Sequence, residues 1–191
     1  MSFDHFGRIA DFYDRAAKFS LDEPILGLIC PAPLSILLDA GGGTGRVAAA
    51  LRDRVRKTVV ADISFGMLRY ATRKNLPAVC TPVEHLPFPS GCFDRVIMMD
   101  ALHHVIDQKQ TVGELWRVLT PGGRLLILEP NIRKLSVKLI ALGEKLLLMR
   151  SHFLSGENIA ALFENNKVFS LAAVDEGFVE VLIPCIRTRI S

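Results

Sequence analysis

Short apolar runs alternate along most of the chain with segments whose apolar residues recur at helical spacing. Residues 36–38, 58–61, 78–80, 95–99 and 124–128 have strand length, whereas 47–55, 67–73 and 109–119 follow the helical period. This alternation predicts an α/β fold, a Rossmann-like doubly wound sheet that is mostly parallel and covered by helices on both faces. Pro77 and Pro82 bound the short third strand, and "TPGG" stops the helix before the fifth. Beyond residue 130 the pattern changes. An apolar helical segment with basic punctuation runs over 131–150, and a further helix over 155–165 has Ser155 as its N-cap. Apolar runs at 168–174 and 178–186 flank "DEG", which predicts a C-terminal antiparallel hairpin completing a seven-stranded sheet. No repeat, low-complexity stretch or linker divides the chain, so 1–191 reads as one domain.

Four of the predicted strands end in an acid: Asp39, Asp62, Asp100 and Glu129. Open parallel sheets bind ligands outside the carboxyl ends of their strands, so these acids share one rim. The first precedes three consecutive glycines in "LLDAGGGTGRVA". A strand, glycine loop and helix start commonly cradle phosphate, and Gly43, Gly45 and Ala48 satisfy a loose dinucleotide fingerprint with Asp62 about 20 residues on. Asp39 argues against that ligand, because a carboxylate beside a pyrophosphate cradle repels it. An acid there suits a ligand that carries a cation.

Composition narrows the field only a little. Half of the 191 residues are hydrophobic, mean hydropathy is +0.31 and the formal net charge is +3. Such a chain folds with a proper core and has an apolar face or pocket to spare. The basic run Arg52, Arg54, Arg56 and Lys57, broken by Asp53, reads as a solvated helix end rather than a nucleic-acid site. Cys30, Cys80, Cys92 and Cys185 form no C-x-x-C pair, which favours buried free thiols, a reducing cytoplasm and no metal centre. Charges throughout the first twenty residues leave no signal-peptide core, and no run is apolar enough to span a bilayer, so a cytoplasmic location is expected.

The ordered motifs resemble one family. "LLDAGGGTGRVA", "VVADISFGMLRYA", "VEHLPFPSGCFDRVIMMDALHHV" and "RVLTPGGRLLI" are similar to the successive signatures of class I S-adenosylmethionine (SAM)-dependent methyltransferases, in the branch containing the ubiquinone and menaquinone enzymes. The resemblance implies SAM as cofactor and S-adenosylhomocysteine as product. It answers the puzzle of Asp39, since SAM has an ammonium and a sulfonium but no phosphate. It further implies that Asp39 lies at the methionyl amino end, that Gly41, Gly43 and Gly45 admit the ligand, and that Asp62 accepts from the ribose hydroxyls. Ile63 and Met67 would pack near adenine, Val83 and Glu84 would recognise its edge through the backbone, and Asp100 would sit beside the methionyl group. Relatives often have an adenine-binding acid where this chain has Pro82. The same resemblance makes 1–30 a helical lid, with Tyr13 at the donor site and Phe6 and Phe12 nearby, and makes 131–165 an acceptor-side cover.

Transfer of a methyl group needs alignment and exclusion of water before it needs catalytic side chains. A protonated acceptor also needs a base, for which His103 and His104 are the candidates, with structural packing of His104 as the competing reading. The apolar segment 135–149 would shield a lipophilic, quinone-like acceptor, touch a membrane surface, form a homodimer face or simply pack. A SAM-binding regulatory or scaffold protein and a nicotinamide-dependent oxidoreductase are the alternative functions. Nucleic acid is not an expected partner, because no N/D-P-P-[YF] motif is present.

Overall fold

The computed structural model describes residues 23–130, 152–163, 171–174 and 178–184, together with Gly7, Ala10, Asp11 and Asp14. Its strands are β1 (Ile36–Ala40), β2 (Lys57–Asp62), β3 (Ala78–Cys80), β4 (Phe93–Met99), β5 (Leu119–Pro130), β6 (Leu171–Val174) and β7 (Phe178–Pro184). Its helices are α1 (Glu23–Ile29), α2 (Arg46–Leu51), α3 (Phe65–Arg73), α4 (Gln108–Val118) and α5 (Gly156–Ala161).

The seven strands lie in the order β3-β2-β1-β4-β5-β7-β6. Only β1 to β5 are parallel to one another; β7 runs antiparallel to both β5 and β6. Residues 175–177, where a hairpin turn is expected, lie outside the described residues, as does the 131–150 segment. The order reverses between β1 and β4, so their loops diverge and leave a crevice at the carboxyl end of the sheet.

Strand pleating divides the core between the two faces. Leu38, Val96, Met98, Leu125 and Ile127 face α4 and α5, where they meet Val112, Leu115, Ile159 and Phe163. Their neighbours Leu37, Ile97, Leu126 and Leu128 face the other way onto Ile25 and Ile29 of α1 and Val47 and Leu51 of α2. A smaller cluster joins Val60 to Ala48, Leu68 and Ala71. These strands are therefore buried on both sides, which explains their continuous apolar runs.

Several boundaries differ from the sequence expectations. The helix expected over 47–55 ends at Leu51 and passes into a 3₁₀ turn over Arg52–Arg54. The basic run is exposed, as a solvated helix end should be. Strand β5 starts at Leu119 rather than 124, because Leu119 already pairs with Phe93 before the register shifts. Gly122, with φ +81°, makes the turn within it. Cys30 and Cys80 are exposed and Cys92 is half-buried, all as free thiols, so burial fails for the first two. Cys80 is on the edge strand, and Cys30 follows the last turn of α1. Cys185 lies outside the described residues.

Candidate functional site

A cleft of about 680 Å³ opens at the switch point between β1 and β4. Its first wall is the loop from β1 to α2, contributing Asp39, Gly41, Gly42, Gly43, Arg46 and Val47. Asp62, Ile63 and Met67 continue this wall after β2. Pro82, Val83, Glu84 and His85 close one side, and residues 98–101 and 103–107 with Gln110 form the opposite wall. Every cofactor-side residue expected from sequence lines this cleft except Gly45, which supports the loop from behind, and Tyr13, which lies outside the described residues along with Phe6 and Phe12.

The loop is held by the backbone and by two acids. Gly41, Gly43 and Gly45 have φ of +68°, +54° and +74°, in the left-handed region that glycine enters without strain. A side chain at Gly41 would also meet the Cβ of Ala101 at 2.6 Å, so the first and fourth strand loops touch there. Asp62 accepts from Gly43 N at 2.8 Å and from Ser64 N at 2.7 Å. The carboxylate thus ties the loop of β1 to the start of α3, whose N-cap Ser64 accepts from Met67 N at 3.2 Å. Gly42 was not singled out by sequence, although the run of three glycines was the signal. A Cβ at Gly42 would come within 2.5–2.8 Å of the Asp39 carboxyl group.

Asp39 is 1% exposed. One oxygen, Oδ2, accepts from Ala48 N in the first turn of α2 at 3.0 Å. The other, Oδ1, has no hydrogen-bond partner among the described residues. Burial pushes the carboxyl pKa up to about 7; Ala48 N–H opposes this, the negative charge of Asp62 adds to it, and Arg46 opposes it. A buried carboxyl in this state gains from a cation brought to its bare oxygen.

Glu129 presents the opposite case. It is also buried, but Oε1 accepts from Ala101 N at 2.9 Å and Leu102 N at 2.8 Å, while Oε2 lies 2.6 Å from His103 Nδ1. His103 is 2% exposed. Its Nε2 is 4.0 Å from Asp100 Oδ1, too long for a direct hydrogen bond. Phe153 stacks on the ring at 4.2 Å between centroids, and His104 lies against it at 3.9 Å. Asp100 adopts φ +53° and donates its N–H to Leu128 O at 2.8 Å, turning the chain sharply out of β4 into this cluster.

Glu84 lines the cleft, and its carboxylate accepts from Ile106 N at 2.8 Å. It therefore joins the wall after β3 to the loop before α4. Gln110 supports the same junction by donating to Glu84 O at 3.2 Å. Ile63 and Ile106 leave large apolar surfaces at the mouth, being 60% and 77% exposed. At the glycine end, Lys74 donates to Thr44 O at 2.9 Å and pairs with Asp14 of the amino-terminal segment. Burial raises the Asp14 pKa, but the Lys74 ammonium, the Thr44 side chain and the Arg46 charge together outweigh it and the net shift is downward. Among the described residues, no group of His, Cys, Asp and Glu is arranged to hold a metal ion.

Residues 38–127 match the family of methyltransferase domains. Over 98 residues the chain is 36% identical to the demethylmenaquinone methyltransferase of Corynebacterium urealyticum, covering 51% of this chain and 43% of that protein. Over 114 residues it is 38% identical to the ubiquinone/menaquinone biosynthesis C-methyltransferase UbiE of an Enterobacter species, covering 52% and 45%. The chain thus spans less than half the length of these curated relatives. The solved complex between the Haloferax volcanii Trm112 methyltransferase activator and a methyltransferase contains a chain that superposes with a TM-score of 0.81. That match is 17% identical and covers 98% of this chain and 100% of the other. A SAM-dependent methyltransferase from Thermotoga maritima gives 0.72 at 18% identity, covering 94% and 98%. At these identities the structural likeness is one of fold.

Proposed function

We propose that this chain, whose residues 38–127 match methyltransferase domains and whose fold is shared with a SAM-dependent methyltransferase, binds SAM and transfers the cofactor's methyl group to a small lipophilic acceptor of the hydroquinone class. The observation that carries the reading is Asp39. Its buried carboxyl has one oxygen unpartnered beside a loop of backbone amides, a setting that favours an ammonium or sulfonium over a pyrophosphate. The same observation disfavours a nicotinamide dinucleotide. When bound, SAM supplies a methyl group made electrophilic by positive sulfur, which leaves as a neutral thioether.

In this reading Asp39 and Asp100 hold the methionyl end and Gly41, Gly43 and Gly45 keep side chains out of the cofactor's volume. Asp62 accepts from the ribose hydroxyls, with Ile63, Met67, Val83 and Glu84 around adenine. Pro82 offers adenine no carboxylate, so apolar packing must supply more of that contact. His103 and His104 stand at the acceptor end, and Tyr13 belongs to a lid formed by 1–30. The 131–165 segment covers the acceptor.

Two observations support a lipophilic acceptor: the relatives named for quinone substrates, and the exposed Ile63 and Ile106 at the cleft mouth. No helix among the described residues is long and apolar enough to cross a membrane. Delivery of a lipophilic acceptor is proposed to involve surface contact through 135–149; the same segment is the alternative homodimer face. An activator protein is a second proposed partner, because the structural neighbour from Haloferax volcanii is held in a complex with one.

The test is incubation of the purified chain with methyl-labelled SAM and a short-chain demethylmenaquinol. Label appearing in the quinol together with S-adenosylhomocysteine, and absent with Asp62→Ala, is the expected result. Cofactor binding without transfer would overturn the hydroquinone class and favour the regulatory or scaffold alternative. No cofactor binding would overturn the whole reading.

A further inference from the structure

We propose that Glu129 is a positioning residue that fixes His103 in its Nδ1–H tautomer and presents Nε2 at the cleft as acceptor of the proton that the methylated group gives up. The inference rests on the reading of the cleft as a methyl-transfer site. It starts from valence. A carboxylate can only accept hydrogen bonds. Glu129 Oε1 is committed to two backbone amides, Ala101 N and Leu102 N, so the carboxylate cannot rotate away. Oε2 then faces Nδ1 at 2.6 Å, and Nδ1 must be the donor. In a neutral imidazole the basic lone pair is consequently on Nε2, on the side of Asp100.

The surroundings restrict the ring to this pose. Phe153 and His104 flank it. His152 N donates to His103 O at 2.7 Å, while Gln108 Nε2 donates to Leu102 O at 3.1 Å and to His152 O at 2.6 Å. The backbone on both sides of the imidazole is thus tied down. A histidine that merely filled space would need neither a buried carboxylate with every oxygen engaged nor a place in the cleft wall. During transfer the acceptor–carbon bond forms as the carbon–sulfur bond breaks and sulfur keeps the electron pair. The acceptor's proton passes to His103 Nε2, and the resulting imidazolium is stabilised by Glu129 on one edge and Asp100 on the other. Water then removes the proton once the product leaves.

Glu129→Gln is the informative change. The substituted amide keeps a carbonyl oxygen for the two backbone N–H groups but turns its NH₂ toward Nδ1, which forces the proton onto Nε2. Long-range proton–nitrogen NMR of histidine-labelled full chain without cofactor reads the tautomer directly, with the His103 signals assigned by their loss in His103→Asn. The wild-type ring is expected as Nδ1–H and the ring in Glu129→Gln as Nε2–H. Both variants are expected to keep wild-type SAM affinity, which also shows that they fold. Turnover of the demethylmenaquinol should fall on the order of a hundredfold in each. An Nε2–H tautomer in the wild type, or unchanged turnover in both variants, overturns the assignment. If the wild type binds SAM but leaves that quinol unmethylated, the hydroquinone reading fails, and the tautomer result alone decides the place of Glu129.

Discussion

Asp39 and Glu129 occupy equivalent places at the carboxyl ends of β1 and β5, both almost wholly buried, yet the fold treats them oppositely. Among the described residues, Asp39 receives one hydrogen bond and keeps a bare oxygen. Glu129 receives two backbone amides and engages an imidazole with its second oxygen. The difference lies in the loops that follow. After β1 the glycines carry the chain away in left-handed turns, and among the described residues only Ala48 N–H reaches back to the acid. After β4 the reversal at Asp100 folds the amides of 101 and 102 onto Glu129 from the neighbouring strand. An acid left short of donors is suited to a cationic ligand, as proposed for Asp39, whereas a satisfied one is suited to orienting its neighbour.

The largest effect should come from removing the acid that joins the glycine loop to α3. Asp62→Ala releases Gly43 N and Ser64 N and removes the proposed ribose acceptor, so SAM affinity by calorimetry should fall on the order of a hundredfold. An affinity within a few fold of wild type would remove Asp62 from the site. Gly41→Ala acts on the seam between the two halves. Its Cβ would overlap that of Ala101, and φ is positive, so thermal unfolding should reveal a loss of about 1–3 kcal/mol. An unchanged melting temperature would mean that the two loops do not constrain each other.

Asp39 also makes binding depend on pH. Its carboxyl is raised to about 7 by burial, against an ordinary value of 3.8. The folded state therefore holds a proton that the unfolded chain has released between those limits, and the stability this contributes is present below 3.8 and lost as pH rises to about 7. A cationic ligand prefers the ionised form, so binding has the opposite slope. SAM affinity should rise about tenfold from pH 6 to pH 8 and level off above. Asp39→Asn should bind more weakly and lose most of that slope; a slope retained in the variant would assign the proton to another group. Pro82→Asp is the smallest change. Placing an acid at this point of the cleft wall should tighten SAM by about 1 kcal/mol if adenine binds beside Pro82 as proposed.

Much of this arrangement was legible in residue order. Glycines with positive φ, acids at strand ends and apolar runs buried on both faces are local consequences of local sequence, so Asp39, Gly41, Gly43 and Asp62 could be named without coordinates. The Glu129–His103 contact could not be. The two residues are 26 positions apart and meet only because β4 and β5 pair in one register, Met99 opposite Leu128. Glu84 shows the same limit. Its motif marks it as a residue near the cofactor, but only the fold reveals that its carboxylate holds Ile106 N. The start of β5 was missed because "TPGG" signals a turn, and strand pairing resumes on both sides of it. The buried-thiol expectation failed at Cys80 because an edge strand is not distinguishable from an inner one by three residues.

The acid rim is proposed to select a cationic, phosphate-free cofactor. Calorimetric titration of the wild-type chain with SAM, S-adenosylhomocysteine and NAD at pH 8 tests it most directly. Saturable binding of the first two is expected, corresponding to dissociation constants on the order of micromolar, with no heat from NAD. Binding of NAD in preference to SAM would contradict the charge argument built on Asp39.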